Sequence, residues 1–189
     1  MPTDPVNQLL KDLDHHMLEV IEAVKREFNS IRTGRANPAI LDRIRVEYYG
    51  QLTPLNQVAT ISAPEPRLLL ISPWDKQMAK PIIDAITSSD LGLNPNSDGN
   101  VIRVPVPQLT TERRKELARI AAKKTEEGKV SIRNVRRDAV EKLRSMEKSG
   151  AISEDDLRRH QEHVQKVTDG HIVQLEKVHA AKEKEILEG

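Results

Sequence analysis

Apolar residues change their spacing twice along this chain. Leu10, Leu13, Met17, Val20, Val24, Phe28 and Ile31 recur at gaps of three and four, which lays one apolar stripe along a helix. Asp4-Pro5 opens that helix with a capping acceptor and a proline at the first helical position. Gly34 weakens the pattern. Asn37-Pro38 ends it, because a residue before proline is pushed towards extended backbone. From residue 38 the period shortens. "RIRVEYYG" alternates, "QVATISA", "RLLLISP" and "VIRVPVP" read as short strands, and Pro54, Pro64, Pro66 and Pro73 separate the runs. "KPIIDAITS" reads as one short helix, and "LGLNPNSDGN" as turns.

Helical spacing returns after residue 110, with Thr110 as its N-cap. Leu117, Ile120, Ala121, Ile132, Val135, Ala139, Leu143 and Met146 form its stripe, which weakens between Lys124 and Gly128. Gly150 ends this helix. Ser153 and Asp156 form a capping box for the next, whose stripe is Leu157, Val164, Val167, Thr168, Leu175, Val178 and Ile186. The "KSGAIS" turn makes the last two helices antiparallel neighbours, each roughly 50–60 Å long.

No one of these helices can bury its stripe alone. The expected fold is therefore α+β: a long antiparallel three-helix bundle from residues 1–31 and 108–189, with a small strand-rich α/β domain, residues 32–107, inserted between the first and second helices. Two connections, near residues 32–37 and 104–109, should act as a hinge, with Gly34, Asn37, Pro38, Pro105 and Pro107 as its residues. All three stripes can be satisfied within one chain, so a monomer is expected.

Composition narrows the functional classes. Phe28, Tyr48, Tyr49 and Trp74 are the only aromatic residues, so a core built around aromatic bulk can exist only between residues 28 and 74. With no cysteine, disulfides, thiolate metal sites and cysteine nucleophiles are excluded. No stretch reaches the roughly 18 apolar residues of a membrane span, and the start of the chain lacks a signal-peptide apolar region; a cytoplasmic protein without membrane partners is expected. His160 and His163, and the adjacent His15 and His16, lack partners that would close a metal site. The glycines lack phosphate-loop spacing and no nucleophile elbow is present. No catalytic residue, metal or cofactor is expected, and the chain reads as a non-enzyme.

The near-zero net charge conceals a charged segment. Residues 113–148 hold 13 Lys and Arg against 6 Asp and Glu, a net +7, between flanks of −3 each. Within it, Lys129, Arg133, Arg136, Arg137, Val140 and Arg144 fall in a sector of roughly 100° beside the core face. Clustered cations of this kind destabilise a helix slightly unless a polyanion meets them. Arginine's planar fork suits phosphate. With no aromatic platform on this helix, contacts to phosphate and sugar of folded RNA are expected rather than base stacking. The plainer alternative is a solvated face laced with ion pairs.

Several stretches, "SIRTGRANPAILDRIRVEYYG", "TPLNQVATI", "SDLGLNPN", "IRVPVPQLTTERRKEL" and "SIRNVRRDA", closely resemble the bacterial ribosome recycling factor family, over essentially the whole chain and in the family's order. The resemblance implies a hinged L-shaped molecule similar in outline to a tRNA. It also implies a function: binding the post-termination ribosome and, with elongation factor G hydrolysing GTP, splitting its subunits to release mRNA and tRNA. It implies contact with large-subunit rRNA phosphates through Arg133, Arg136 and Arg137 and through Arg32 and Arg35 of "RTGR". Lys129 and Arg144 join that set from the sector reading. A reading from another class is a general helical module for binding structured RNA or assembling ribosomes. An organellar copy is disfavoured by the absence of an Arg- and Ser-rich leader.

Overall fold

A computed structural model describes residues 4–188. They form two compact units: residues up to Phe28 with Glu116–Leu187, and Asn29–Lys115.

The first unit is built from three long helices: α1 (Pro5–Asn29), α3 (Thr111–Lys148) and α4 (Glu154–Glu188). Contacts fix their directions. Glu27 of α1 pairs with Lys124 of α3, and Val24 lies against Gly128. Lys129 of α3 pairs with Glu176 of α4, and Arg136 bonds Gln165. Thus α3 runs antiparallel to both neighbours. The caps follow from sequence. Asp4 Oδ1 accepts from Val6 N–H at 3.2 Å, and Thr110 Oγ1 accepts from Arg113 N–H at 3.2 Å. Ser153 and Asp156 bond each other reciprocally, at 3.0 and 3.4 Å. At the end of α3, Gly150 takes φ +78°, while Ala151 N–H reaches Met146 O and Gly150 N–H reaches Glu147 O. That pair of bonds is a Schellman motif.

The buried stripes differ from the expected ones in phase. On α1 they are Val6, Leu9, Leu13, Met17, Ile21, Val24 and Phe28; Leu10, Val20 and Ile31 are only half-buried. On α3 the stripe does not weaken. It continues through Thr125 and Gly128 to Ile132, Ala139 and Leu143, while Ile120 is exposed. What changes at mid-helix is side-chain size: a Cβ on Gly128 would stand 3.0 Å from Val24 Cγ2 and 3.1 Å from Leu175 Cδ2. Three helices meet there, and a glycine lets them approach. The stripe of α4 contains His171 and Lys182 as well as Val164, Thr168, Leu175 and Ile186.

The second unit contains β1 (Arg45–Tyr48), β2 (Gln51–Pro54), β3 (Ala59–Glu65), β4 (Leu68–Pro73), α2 (Ala79–Thr87), β5 (Asn96–Ser97) and β6 (Ile102–Pro105). β1 and β2 form a separate hairpin, and the other strands make a four-stranded antiparallel sheet in the order β3-β4-β6-β5. Alternation decides its inner face. Leu69 and Ile71 of β4 lie opposite Val104 and Ile102 of β6, and all four are fully buried with Ile82 and Ile86 of α2. Each such burial stabilises by about 1.5–3 kcal/mol. This core is wholly aliphatic. The few aromatics do not fill it: Phe28 belongs to the bundle, Tyr48 only flanks the sheet unit's core, and Tyr49 and Trp74 are exposed.

The expected hinge residues are all built into this second unit. Gly34, buried at φ +79°, would place a Cβ 3.4 Å from Leu109 Cγ. Asn37 Oδ1 caps a 3₁₀ turn that begins at Pro38, accepting from Ala39 N–H. Pro105 pairs with Leu68 in the sheet, and Val106 N–H donates to Arg67 O at 2.8 Å. The two compact units divide at Phe28/Asn29 and Lys115/Glu116. Backbone hydrogen bonds from Ala36 N–H to Pro66 O and from Val106 N–H to Arg67 O join these segments to the sheet unit.

Candidate nucleic-acid interface

The basic segment lies on α3. Ile132, Ala139 and Leu143 anchor this part of the helix in the bundle, and their positions turn Arg133, Arg137 and Arg144 into solvent, with Arg136 half-buried. A groove runs between α3 and α4 here. Arg136, Arg137, Val140 and Arg144 line one side, and Gln161, Val164 and Gln165 the other.

Partners distinguish the cations. Arg136 Nη1 donates to Gln165 Oε1 at 3.0 Å, and Arg137 Nη2 donates to Asn134 Oδ1. Both acceptors are neutral amides. Among the described residues, Arg133 and Arg144 make no hydrogen bond or ion pair within the chain. Among the described residues, no carboxylate is paired with any of these four guanidinium groups, although Glu141 lines the groove beside Arg136, Arg137 and Arg144. A face laced with ion pairs would show the opposite.

Lys129 is different. Its Nζ lies 3.1 Å from Glu176 and 3.2 Å from Glu126. Hydrogen bonding to Glu176, then to Glu126, raises its pKa. It is a tie between α3 and α4, already neutralised, and not a free cation. Its place in the 100° sector said nothing about Glu176, which comes from another helix.

The other two expected contacts lie in the second unit. Arg32 is half-buried, and its guanidinium donates to the carbonyl of Leu91, beside Gly92. Arg35 is exposed. The structure thus collects Arg136, Arg137 and Arg144 in one groove, leaves Arg133 exposed on the same helix, and gives Arg32 a partner within its own unit.

Sequence reasoning missed the amides Asn134, Gln161 and Gln165, which orient the arginines or face them. It also missed Arg119, Lys123 and Lys148, exposed on α3, which at 100° per residue fall within about 80° of Arg133 and lengthen the basic face. The i, i+4 glutamines were visible as a pair, but only tertiary packing puts them opposite arginine. Nor was the buried His171 singled out; its Nε2 lies 2.8 Å from Asp14 Oδ1, between α4 and α1. Among the described residues, no three His, Cys, Asp or Glu side chains are placed to hold a metal ion. No described helix is long and apolar enough to cross a membrane.

Comparison with known proteins bears on the whole chain. The family profile described as Ribosome recycling factor matches residues 24–187. The ribosome-recycling factor of Clostridioides difficile (strain 630) is 55% identical over 181 residues, covering 96% of this chain and 98% of that protein. That of Brevibacillus brevis (strain 47) is 53% identical over 180 residues, covering 95% and 97%. Among solved structures, a solution structure of the ribosome recycling factor superposes with a TM-score of 0.79 at 43% identity, covering 97% of this chain and 98% of that one. Models of the T. thermophilus ribosome recycling factor and the E. coli elongation factor G bound to the E. coli post-termination complex include a chain matching at TM-score 0.68 and 43% identity, covering 96% and 98%.

Proposed function

This chain belongs to the ribosome recycling factor family, and on that premise we propose that its bundle grips ribosomal RNA while it recycles the ribosome. It binds the post-termination ribosome and, with elongation factor G and GTP, separates the subunits so that mRNA and tRNA are released. It acts as a cytoplasmic monomer and supplies binding and leverage; the hydrolysis of GTP belongs to elongation factor G.

The observation that carries the RNA reading is that, among the described residues, Arg133, Arg136, Arg137 and Arg144 have no carboxylate partner, on a helix that pairs Lys124 and Lys129 with glutamates. Guanidinium forks left unpaired beside neutral amides are ready for phosphate oxygens at little cost, because no existing ion pair has to break first. Arg35 adds a contact from the second unit. Arg32, held by Leu91, serves mainly to fix the chain at Gly92.

Ribosome binding across a salt series tests this. With three to five phosphate contacts, log K should fall against log[salt] with a slope of about −2 to −4. Arg133→Ala/Arg144→Ala removes the two arginines that hold nothing within the chain, so any loss is one of binding. We expect weaker binding and a slope shallower by about one to two. Unchanged affinity and slope would make the groove a solvated face and move the RNA grip elsewhere.

A further inference from the structure

Gln161, Gln165 and Asp169 recur at every fourth position of α4, which sets them along one edge of the helix. Val164 and Thr168 are buried, so Gln165 and Asp169, each the next residue along, border the buried stripe. Gln165 Nε2 donates to Asp169 Oδ1 at 2.8 Å, and Gln165 Oε1 accepts from Arg136 Nη1 at 3.0 Å. Carboxylate, amide and guanidinium thus form a line that runs from α4 across to α3.

Only one orientation of the amide serves both neighbours. Turned over, its NH₂ would face the donors of Arg136 and its oxygen the carboxylate of Asp169, two repulsive contacts in place of two hydrogen bonds. Asp169 therefore decides which way Gln165 faces, and Gln165 decides where Arg136 lies. Arg137 lacks such a line. Its partner Asn134 belongs to the same helix, and among the described residues nothing else bonds the Asn134 amide.

The seam between α3 and α4 also shows what a carboxylate does in the amide's place. Lys129, about two turns before Arg136 on α3, meets Glu176 of α4 at 3.1 Å, and that pair is closed. At Arg136 the carboxylate stands behind the amide, so it orients the cation without pairing with it. Arg136 uses one N–H on Gln165, and the rest of its planar fork stays available beside the groove it lines with Arg137 and Arg144. A donor already held in place loses less side-chain freedom when a phosphate arrives, and no ion pair has to break first.

We infer that Gln165 is a positioning residue for ribosome binding: oriented by Asp169, it holds Arg136 charged and in place for a phosphate. The inference rests on the RNA grip proposed above.

Ribosome binding over a salt series, with thermal unfolding of each variant alongside, tests this. Gln165→Ala keeps the Arg136 charge and removes its partner, so binding should weaken about two- to tenfold with the salt slope unchanged. Gln165→Glu sets a carboxylate against Arg136 and should make the slope shallower by about one. In an Arg136→Ala background Gln165→Ala should cause no further loss, because the residue acts through that arginine. Asp169 separates the hydrogen bond from the charge. Asp169→Asn retains an acceptor and should bind no more weakly than wild type. Asp169→Ala removes it and should bind more weakly than Asp169→Asn, although both lose the same negative charge. Gln165 and Asp169 are exposed, so unfolding temperatures should stay close to wild type. Undiminished binding by Gln165→Ala overturns the inference, as does a loss that persists without Arg136, a matching fall in Tm, or equal binding by the two Asp169 variants. Failure of the grip itself reads differently: Arg133→Ala/Arg144→Ala would then leave affinity and slope unchanged.

Discussion

Replacing Gly128 with alanine sets two effects of similar size against each other. In an open helix interior alanine is favoured over glycine by about 1 kcal/mol. At Gly128 the added methyl would lie 3.0 Å from Val24 Cγ2 and 3.1 Å from Leu175 Cδ2, inside the roughly 3.5–4.0 Å optimum between carbons. Val24 is β-branched and has one strongly preferred rotamer in a helix. Leu175 is fully buried. Neither can swing aside, so the helices must separate slightly, and overpacking of this kind costs about 1–3 kcal/mol. The balance is a destabilisation of about 0–2 kcal/mol, where 1 kcal/mol corresponds to a Tm shift of about 2–4 °C. Helix ellipticity during urea or thermal unfolding reads the bundle, while the single tryptophan, Trp74, reads the other unit and serves as an internal control. Trimming Val24 to alanine removes the nearest clash. In that background the same substitution should turn stabilising, by up to about 1 kcal/mol. If Gly128→Ala stabilises the otherwise wild-type protein by the full helix-propensity gain, the three helices do not meet closely and the reasoning fails.

Two further substitutions test local electrostatics. Hydrogen bonding from Ser153, first its side chain and then its backbone N–H, holds the Asp156 carboxyl below its ordinary value of 3.8. Its stabilising effect is therefore present above that value and is lost as pH falls through the lower folded one. The stability difference between wild type and Asp156→Asn should be measurable at pH 7 and vanish once the pH falls below the lowered folded-state value; a difference that persists in acid would mean the capping box does not depend on the charge. Lys129→Met breaks the tie to Glu126 and Glu176 and should cost a few tenths to about 1 kcal/mol of stability while leaving the salt slope of ribosome binding unchanged. A slope shallower by about one would instead make Lys129 a phosphate ligand.

The helices were legible because their caps are local chemistry. Asp4, Thr110, Gly150 and the Ser153–Asp156 box all operate within a few residues, and each formed as the spacing implied. Phase was harder. A three-and-four pattern starting at Leu10 and one starting at Leu9 score alike in sequence, and only packing against two other helices selects the second. Thr125 and Gly128 were misread for a related reason: apolar periodicity counts bulk, whereas a tight three-helix contact requires its absence. The sheet unit misled through its aromatics. They marked the one region where an aromatic core could form, yet Leu69, Ile71, Ile102 and Val104 fill it through strand alternation, which left Tyr49 and Trp74 outside. β2 and β5 were missed because two- to four-residue strands have no period of their own; their partners define them. In the groove, the arginines could be placed from helical angle alone. Which cations were already neutralised depended on α4, through Glu176 for Lys129 and Gln165 for Arg136, and no spacing within α3 encodes that.

The neutral partners of Arg136 and Arg137 bear on acidity. Guanidinium groups stay charged to pH values above about 12, and the amides of Gln165 and Asn134 do not titrate at all. A grip assembled from histidine would tighten or slacken as its surroundings became more acid or more alkaline. This groove presents the same charge and the same hydrogen-bond donors from mildly acid to mildly alkaline conditions, so the proposed hold on phosphate should not vary with pH across that range.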